Sequence, residues 1–383
     1  MFLSTITAGF IAILVGYTGS AAIVFQAASS AGADQAMIAS WMFALGIAMG
    51  VTTLGLSWFY KAPILTAWST PGAAVLVTSL GGFSLAEATG AFIASALLII
   101  LFGITGWFEK LMKKIPLGIA AALLAGVLGK FGMDVFVSMQ ASWQLVLPMF
   151  ITYLVCKRFT KIYAIPLVFL FGILLSSLLG LSNYNAVELS ITELIWTTPS
   201  FTLASILSIG LPLFVVTMTS QNVPGVAVLR SNGYDTPISP VITTTGLATL
   251  VMAPFGGYAI NYAAITAAIC AGETAHPNKQ KRYYATLSAG VFYLLTGLFA
   301  ATFASLFFAF PKALVLSIAG LALLATISNG LHQAMTEAEL REPALITFLV
   351  TLSGMELFSI GSAFWGVVFG LLSAFALNYR TSR

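Results

Sequence analysis

The sequence predicts an all-α polytopic membrane protein, with about fourteen transmembrane segments arranged as a 7+7 inverted repeat. Three observations carry this expectation: the composition, the placement of the basic residues, and two broken apolar segments at matching places in the two halves. Of 383 residues, 59% are hydrophobic and 7% charged, and the mean hydropathy is +0.99. Soluble domains are roughly 25% charged, and no soluble core of this length hides so much apolar surface. Charge-free runs include 1–33, 35–60, 62–86, 88–108, 135–156, 162–187, 283–311 and 357–379, each long enough for the roughly 20 residues of a span. The first run exceeds signal-peptide length and another follows at once, so it reads as a retained span. Cys156 and Cys270 stand in or near apolar segments without metal-like partners, and read as small buried hydrophobes.

Runs bounded by charges, Gly and Pro place the spans near 7–29, 35–58, 63–80, 84–106, 116–138, 142–157, 162–181, 204–229, 237–254, 258–272, 283–309, 312–332, 341–356 and 359–378. With both termini cytoplasmic, the inner loops hold Lys61, Lys110, Lys113, Lys114, Lys157, Arg158, Lys161, Arg230, Lys279, Lys281, Arg282, Arg341, Arg380 and Arg383. Of the basic residues only Lys130 and Lys312 fall elsewhere, and the outer loops hold Asp34, Glu87, Glu188, Glu193 and Glu356. This bias supports the count and the orientation together. It also shows that the net charge of +4 lies in short loops, not on a face for nucleic acid.

Seven spans per half set the halves, 1–200 and 201–383, in opposite orientations. Ser30-Ala31-Gly32-Ala33-Asp34 after the first span matches Ser231-Asn232-Gly233-Tyr234-Asp235 after the eighth, and Ile115-Pro116 before the fifth matches Phe310-Pro311 before the twelfth. On that register the broken segments are the third span, at Thr66-Ala67-Trp68-Ser69-Thr70-Pro71-Gly72-Ala73-Ala74, and the tenth, at Gly256-Gly257-Tyr258-Ala259-Ile260-Asn261-Tyr262. A break at membrane depth survives only where protein or a watery cavity covers it. Paired breaks mark the substrate site of a secondary transporter. Pro71 suits the first turn of a half-helix over 71–80, capped by Ser69 or Thr70. Asn261 or Tyr262 would open the matching half-helix. Two N-termini facing each other would hold an anion without Arg or Lys.

The first span is interrupted by Gly16-Tyr17-Thr18-Gly19-Ser20, and the eighth by Thr217-Met218-Thr219-Ser220-Gln221-Asn222-Val223-Pro224-Gly225. Amides at that depth require a partner in protein, water or ligand. Tyr17, Phe25, Trp68 and Tyr258 are the aromatic residues placed to stack on a flat ligand. Glu87 and Glu356 read as boundary residues, and Glu87 is the one candidate for proton coupling. Lys130 lies inside the fifth span, where it would snorkel, pair with Asp134 or face a cavity. His276 reads as a solvated loop residue. No Walker loop, metal-ligand cluster or acylation triad is present, so no metal or other cofactor is expected and an enzyme is disfavoured. A channel would need a continuous polar face, whereas polarity here gathers at one depth.

At these residues the chain resembles the benzoate:proton symporter family of the BenE type. The stretches are Thr66 through Ala74, Pro212-Leu213, Thr217-Met218, Ser220-Gln221-Asn222, Ala264 through Cys270, Ala275-His276-Pro277, and Gly361-Ser362-Ala363-Phe364-Trp365-Gly366. The resemblance implies the fold shared by uracil transporters and sulfate/bicarbonate transporters. It implies a short strand before each half-helix in segments 3 and 10. It further implies a core of segments 1–4 and 8–11 moving against a gate of 5–7 and 12–14. Gln221 then takes the place of a binding Glu of uracil transporters, and Tyr258 falls near their second. Losing both acids suits an anionic ligand. The expected function is uptake of benzoate or a similar small aromatic carboxylate with protons, through a bacterial inner membrane. Exchange or symport of another organic anion, or of a nucleobase-like ligand, is the rival. The expected substrate-binding residues are Ser69, Thr70, Gly72, Gln221, Asn222, Tyr258, Asn261, Tyr17 and Phe25. Expected partners are the carboxylate, protons and the lipid bilayer, with a homodimer left open and nucleic acid excluded.

Overall fold

The computed structural model describes residues 2–108, 116–159, 164–184, 187, 189–273, 275–355, 357 and 362–378. Lys110, Lys113, Lys114, Lys161, Glu188, Glu356, Gly361, Arg380 and Arg383 lie outside the described residues. The first half contains α1 (Phe2–Ser30), α2 (Gln35–Tyr60), β1 (Thr66–Trp68), α3 (Thr70–Ser79) and α4 (Leu85–Thr105), then α5 (Leu117–Ala141), α6 (Trp143–Phe159) and α7 (Ala164–Leu178). The second contains α8 (Leu203–Arg230), α9 (Ile238–Met252), β2 (Ile260–Tyr262), α10 (Ile265–Ala271), α11 (Tyr283–Leu298), α12 (Ala300–Ala309), α13 (Lys312–Ala334), α14 (Arg341–Ser353) and α15 (Ser362–Asn378). Each expected segment is a helix or a strand–helix unit, and the eleventh is the pair α11–α12. Among the described residues six helices are long and apolar enough to cross a membrane, or eight if each bent pair is one span.

Side-chain caps start several of these helices. Asp34 accepts the Met37 N–H at 2.8 Å before α2, and Ser84 with Glu87 forms a reciprocal capping box before α4. The two strands pair antiparallel, Thr66 opposite Tyr262, Ala67 opposite Asn261 and Trp68 opposite Ile260. The broken segments therefore meet inside the helical bundle, and their ladder satisfies backbone groups that lipid could not.

Four expectations change. The first span is bent by 41° between Ser4–Tyr17 and Ser20–Ser30 rather than interrupted, with Ser20 Oγ donating back to the Gly16 carbonyl at 2.8 Å. The eighth stays helical, because two π turns, Ile206–Gly210 and Met218–Asn222, absorb its irregularity. Pro212 and Pro224 follow these turns. Neither has an N–H to give the carbonyl four residues back, and the ring crowds that carbonyl, so the preceding turn widens. The tenth half-helix opens at Ile265, not at Asn261 or Tyr262, because those two residues belong to β2. His276 is buried, at 5% exposure, and its carbonyl accepts the Arg282 Nε–H at 2.8 Å. Arg282, also buried, donates to the Ala271 carbonyl at 2.9 Å and so closes the C-terminus of α10. Lys130 is exposed.

An extended segment between α7 and α8 forms a strap across the helix ends. The Ile195 N–H donates to Ser40 Oγ at 3.0 Å, and the Thr197 and Ser200 N–H groups donate to the carbonyls of Pro254 (2.7 Å) and Ala86 (2.8 Å). Thr192 sits in the break between α11 and α12, where its N–H donates to the Leu298 carbonyl at 3.0 Å and its Oγ1 accepts the Ala301 N–H at 2.7 Å. Those bonds replace helical ones and account for the 67° bend there.

Candidate substrate site

The bend of α1, the β1–α3 junction, the second π turn of α8 and the β2–α10 junction converge. The Trp68 Nε1–H donates to Ser20 Oγ at 2.9 Å, and its ring meets the Tyr17 ring edge-on with centroids 4.9 Å apart. A Cβ placed on Gly16 would lie 3.5 Å from Thr266 Cγ2, at the opening of α10. The Tyr262 N–H donates to Asn222 Oδ1 at 3.0 Å, tying α8 to β2.

Ser69 is fully buried and caps α3, its Oγ accepting the Gly72 N–H at 3.0 Å and its carbonyl the Ala73 N–H at 2.7 Å. Pro71 has no N–H, so the cap consumes most donors an anion would use at this terminus. In this turn Thr70 is half-buried, whereas Pro71, Gly72 and Ala73 are buried. The start of α10 has no side-chain cap, although Ala263 and Ala267 around it are buried. Gly72 lets α3 and α8 approach closely, since a Cβ there would stand 2.6 Å from Leu213 Cδ1 of α8 and 2.8 Å from Ser69 Cβ, and one of them would have to shift.

The remaining expected residues divide. Asn222 is fully buried and occupied by Tyr262 and by Met218 Sδ, to which its Nδ2 donates at 3.1 Å. Gln221, next to it on the π turn, is half-buried. Asn261 is fully buried, and its Nδ2 donates to the Ala259 carbonyl at 2.8 Å. The Ser69 N–H donates to the same carbonyl at 3.1 Å, and these two bonds hold Ala259 at φ 40°, in the left-handed region. Asn261 Oδ1 has no hydrogen-bond partner among the described residues. Tyr258 is fully buried against Trp41 and Phe92, ring centroids 6.2 and 5.8 Å away. Glu87 belongs to the cap of α4 and the strap. Ser84 N–H and Oγ donate to its Oε2 at 3.0 and 2.9 Å, and Thr202 Oγ1 donates to Oε1 at 3.2 Å.

Tyr17 and Phe25 line one cavity of about 460 Å³ with Phe169 of α7, Phe303 of α12 and Phe310 before α13. Thr296 of α11 also lines it and donates to the Tyr17 hydroxyl at 2.8 Å. Sequence reasoning missed Thr296 and Thr266, which sit in smooth apolar stretches without a local signal. The volume falls in the roughly 300–1,000 Å³ range of small-molecule pockets.

The family described as benzoate membrane transport protein, BenE, matches residues 1–376. The chain is 47% identical over 379 residues to the Inner membrane protein YdcO of Escherichia coli (strain K12), covering 99% of this chain and 97% of that one. It is 43% identical over 375 residues to a benzoate membrane transport protein of Acinetobacter baylyi, covering 98% and 95%. Among solved structures, the transmembrane domain of a cyanobacterium bicarbonate transporter, BicA, matches with TM-score 0.61 and 13% identity over 97% of this chain and 96% of that one. The murine anion transporter Slc26a9 in its inward-facing state matches with TM-score 0.61 and 12% identity over 98% and 68%. At such identities these two show the fold.

Proposed function

This chain belongs to the BenE family of benzoate membrane transport proteins, a family of transporters and not of enzymes, and on that premise we propose that it takes up benzoate or a similar small aromatic carboxylate with protons, by alternating access. The aromatic cavity carries this reading. It offers a ring-sized apolar space whose inner wall, Tyr17, touches Trp68, the residue just before the cap of α3. The ring would lie against Tyr17, Phe25 and Phe303. The carboxylate would turn toward Thr70, the uncapped start of α10 and the Gln221 amide, where helix N-termini favour negative charge.

The cavity lies between α1 and α11–α12 on one side and α7 and α13 on the other. These belong to the proposed core of segments 1–4 and 8–11 and the proposed gate of 5–7 and 12–14. Movement of one against the other would open the cavity to each side in turn. The proposed halves are 1–200 and 201–383, inverted, with both termini cytoplasmic in a bacterial inner membrane. Uptake of labelled benzoate into proteoliposomes tests the proposal. Accumulation above the external level is expected only with an imposed inward proton gradient, and uptake indifferent to that gradient would remove proton symport.

A further inference from the structure

A second cavity, of about 730 Å³, lies where α1 begins, α2 ends and α11 begins. Ile6, Gly55, Trp58, Tyr284, Leu287 and Phe292 are among its walls. Its walls are apolar or aromatic residues apart from Thr5 and Ser288. Its Ser288 hydroxyl donates to the Thr5 and Ala285 carbonyls at 3.1 and 2.9 Å and so turns into the helices. Trp58 is 60% exposed at the edge, and a Cβ on Gly55 would meet nothing within 4 Å, so the floor is open space.

The polar end of the groove is cationic. Lys61 is exposed and ends α2 in the left-handed conformation, φ 51°. That geometry folds its Nζ back over the Trp58 ring, 3.5 Å from the centroid, and 5.3 Å from the Tyr283 ring. Tyr283 stacks on Tyr284, a wall of the groove, at 4.3 Å. Lys281, exposed on the turn entering α11, adds a second positive charge at the same end of the bundle. A carbon-lined groove beside spanning helices, with aromatic rings and an ammonium at one end, matches an acyl chain joined to a phosphate.

We propose that this groove binds one anionic phospholipid, its acyl chain over Gly55 between α1, α2 and α11 and its phosphate on Lys61. Lys61 and Lys281 stand at this end of the bundle, so the lipid belongs to the leaflet they face. It would wedge the two helices that carry Tyr17 and Thr296, and so make transport depend on anionic lipid.

Native mass spectrometry of the detergent-purified protein, titrated with phosphatidylglycerol or phosphatidylcholine of identical chains, tests this. Wild type should take up one phosphatidylglycerol about fivefold more tightly than phosphatidylcholine, the factor one lysine provides near a charged membrane surface. Lys61→Ala should bring the two lipids level, and Gly55→Trp, which fills the floor, should lose that bound lipid whichever its headgroup. Equal binding of both lipids to wild type, or a preference that survives Lys61→Ala, would overturn the proposal. So would loss of labelled benzoate binding in Gly55→Trp with phosphatidylglycerol binding intact, which would assign the groove to the substrate. If Gly55→Trp does not fold, the exposed Lys61→Ala decides alone.

Discussion

Gln221 and Asn222 are consecutive amides on one π turn, and their surroundings give them different tasks. Asn222 is fully buried and accepts the Tyr262 N–H, so its carbonyl oxygen works for the fold. Asn222→Leu should leave that N–H unpaired, cost about 1–3 kcal/mol of stability and lower transport through misfolding. Gln221 is half-buried, and Gln221→Leu should change stability by less than ~1 kcal/mol. Its cost falls on uptake, roughly tenfold to a hundredfold, if the amide bonds a charged ligand. Thermal unfolding in detergent beside benzoate uptake separates the two, and wild-type uptake in Gln221→Leu would remove that residue from the site. The sequence marks both amides as costly at membrane depth. It does not say which one the fold consumes, because the Tyr262 N–H that decides lies 40 residues away. The same holds for His276 and Arg282, polar residues in a polar loop until the C-terminus of α10 is seen to need them.

The elements most legible in the sequence are those whose cause is local. The third segment is broken because Ser69 caps a helix with Pro71 in its first turn, and the two residues are separated by Thr70 alone. The π turns of α8 also follow from nearby prolines, although the sequence alone suggests an interruption there. The strap and the bend between α11 and α12 were illegible, since each rests on hydrogen bonds between distant segments. At this scale the contact between α3 and α8 makes a further prediction. Gly72→Ala would press a methyl against Leu213 Cδ1, at 2.6 Å, and against Ser69 Oγ, at 2.8 Å. Displacement of α3 by a fraction of its width should lower uptake by roughly tenfold to a hundredfold. Leu213→Ala, which alone costs about 2–5 kcal/mol by opening a cavity, should restore part of the uptake when combined with Gly72→Ala. Uptake by the three variants checks this. No rescue in the double variant would place the damage at the Ser69 cap rather than at the helix contact.

Over the whole molecule, the proposed proton symport requires a group on which the proton would ride. Glu87 was the one acid that the sequence offered, and its place argues against that role. Three donor contacts from Ser84 and Thr202 converge on its carboxylate, an arrangement for an acceptor that holds the start of α4 to the strap. A carrier of protons would have to give up those contacts in each cycle and loosen the strap across the helix ends. The ligand itself is the alternative. Its carboxyl should titrate near the aspartate and glutamate range, about 4, so it can enter protonated and give up its proton where helix N-termini favour the anion. Glu87→Gln distinguishes the routes cleanly, because glutamine preserves the capping box and stability should change by less than ~1 kcal/mol. With the ligand as carrier, Glu87→Gln proteoliposomes should accumulate benzoate under an inward proton gradient as wild type does. Failure of accumulation, with counterflow exchange of benzoate intact, would give the proton to Glu87 and make the strap a moving part of the cycle.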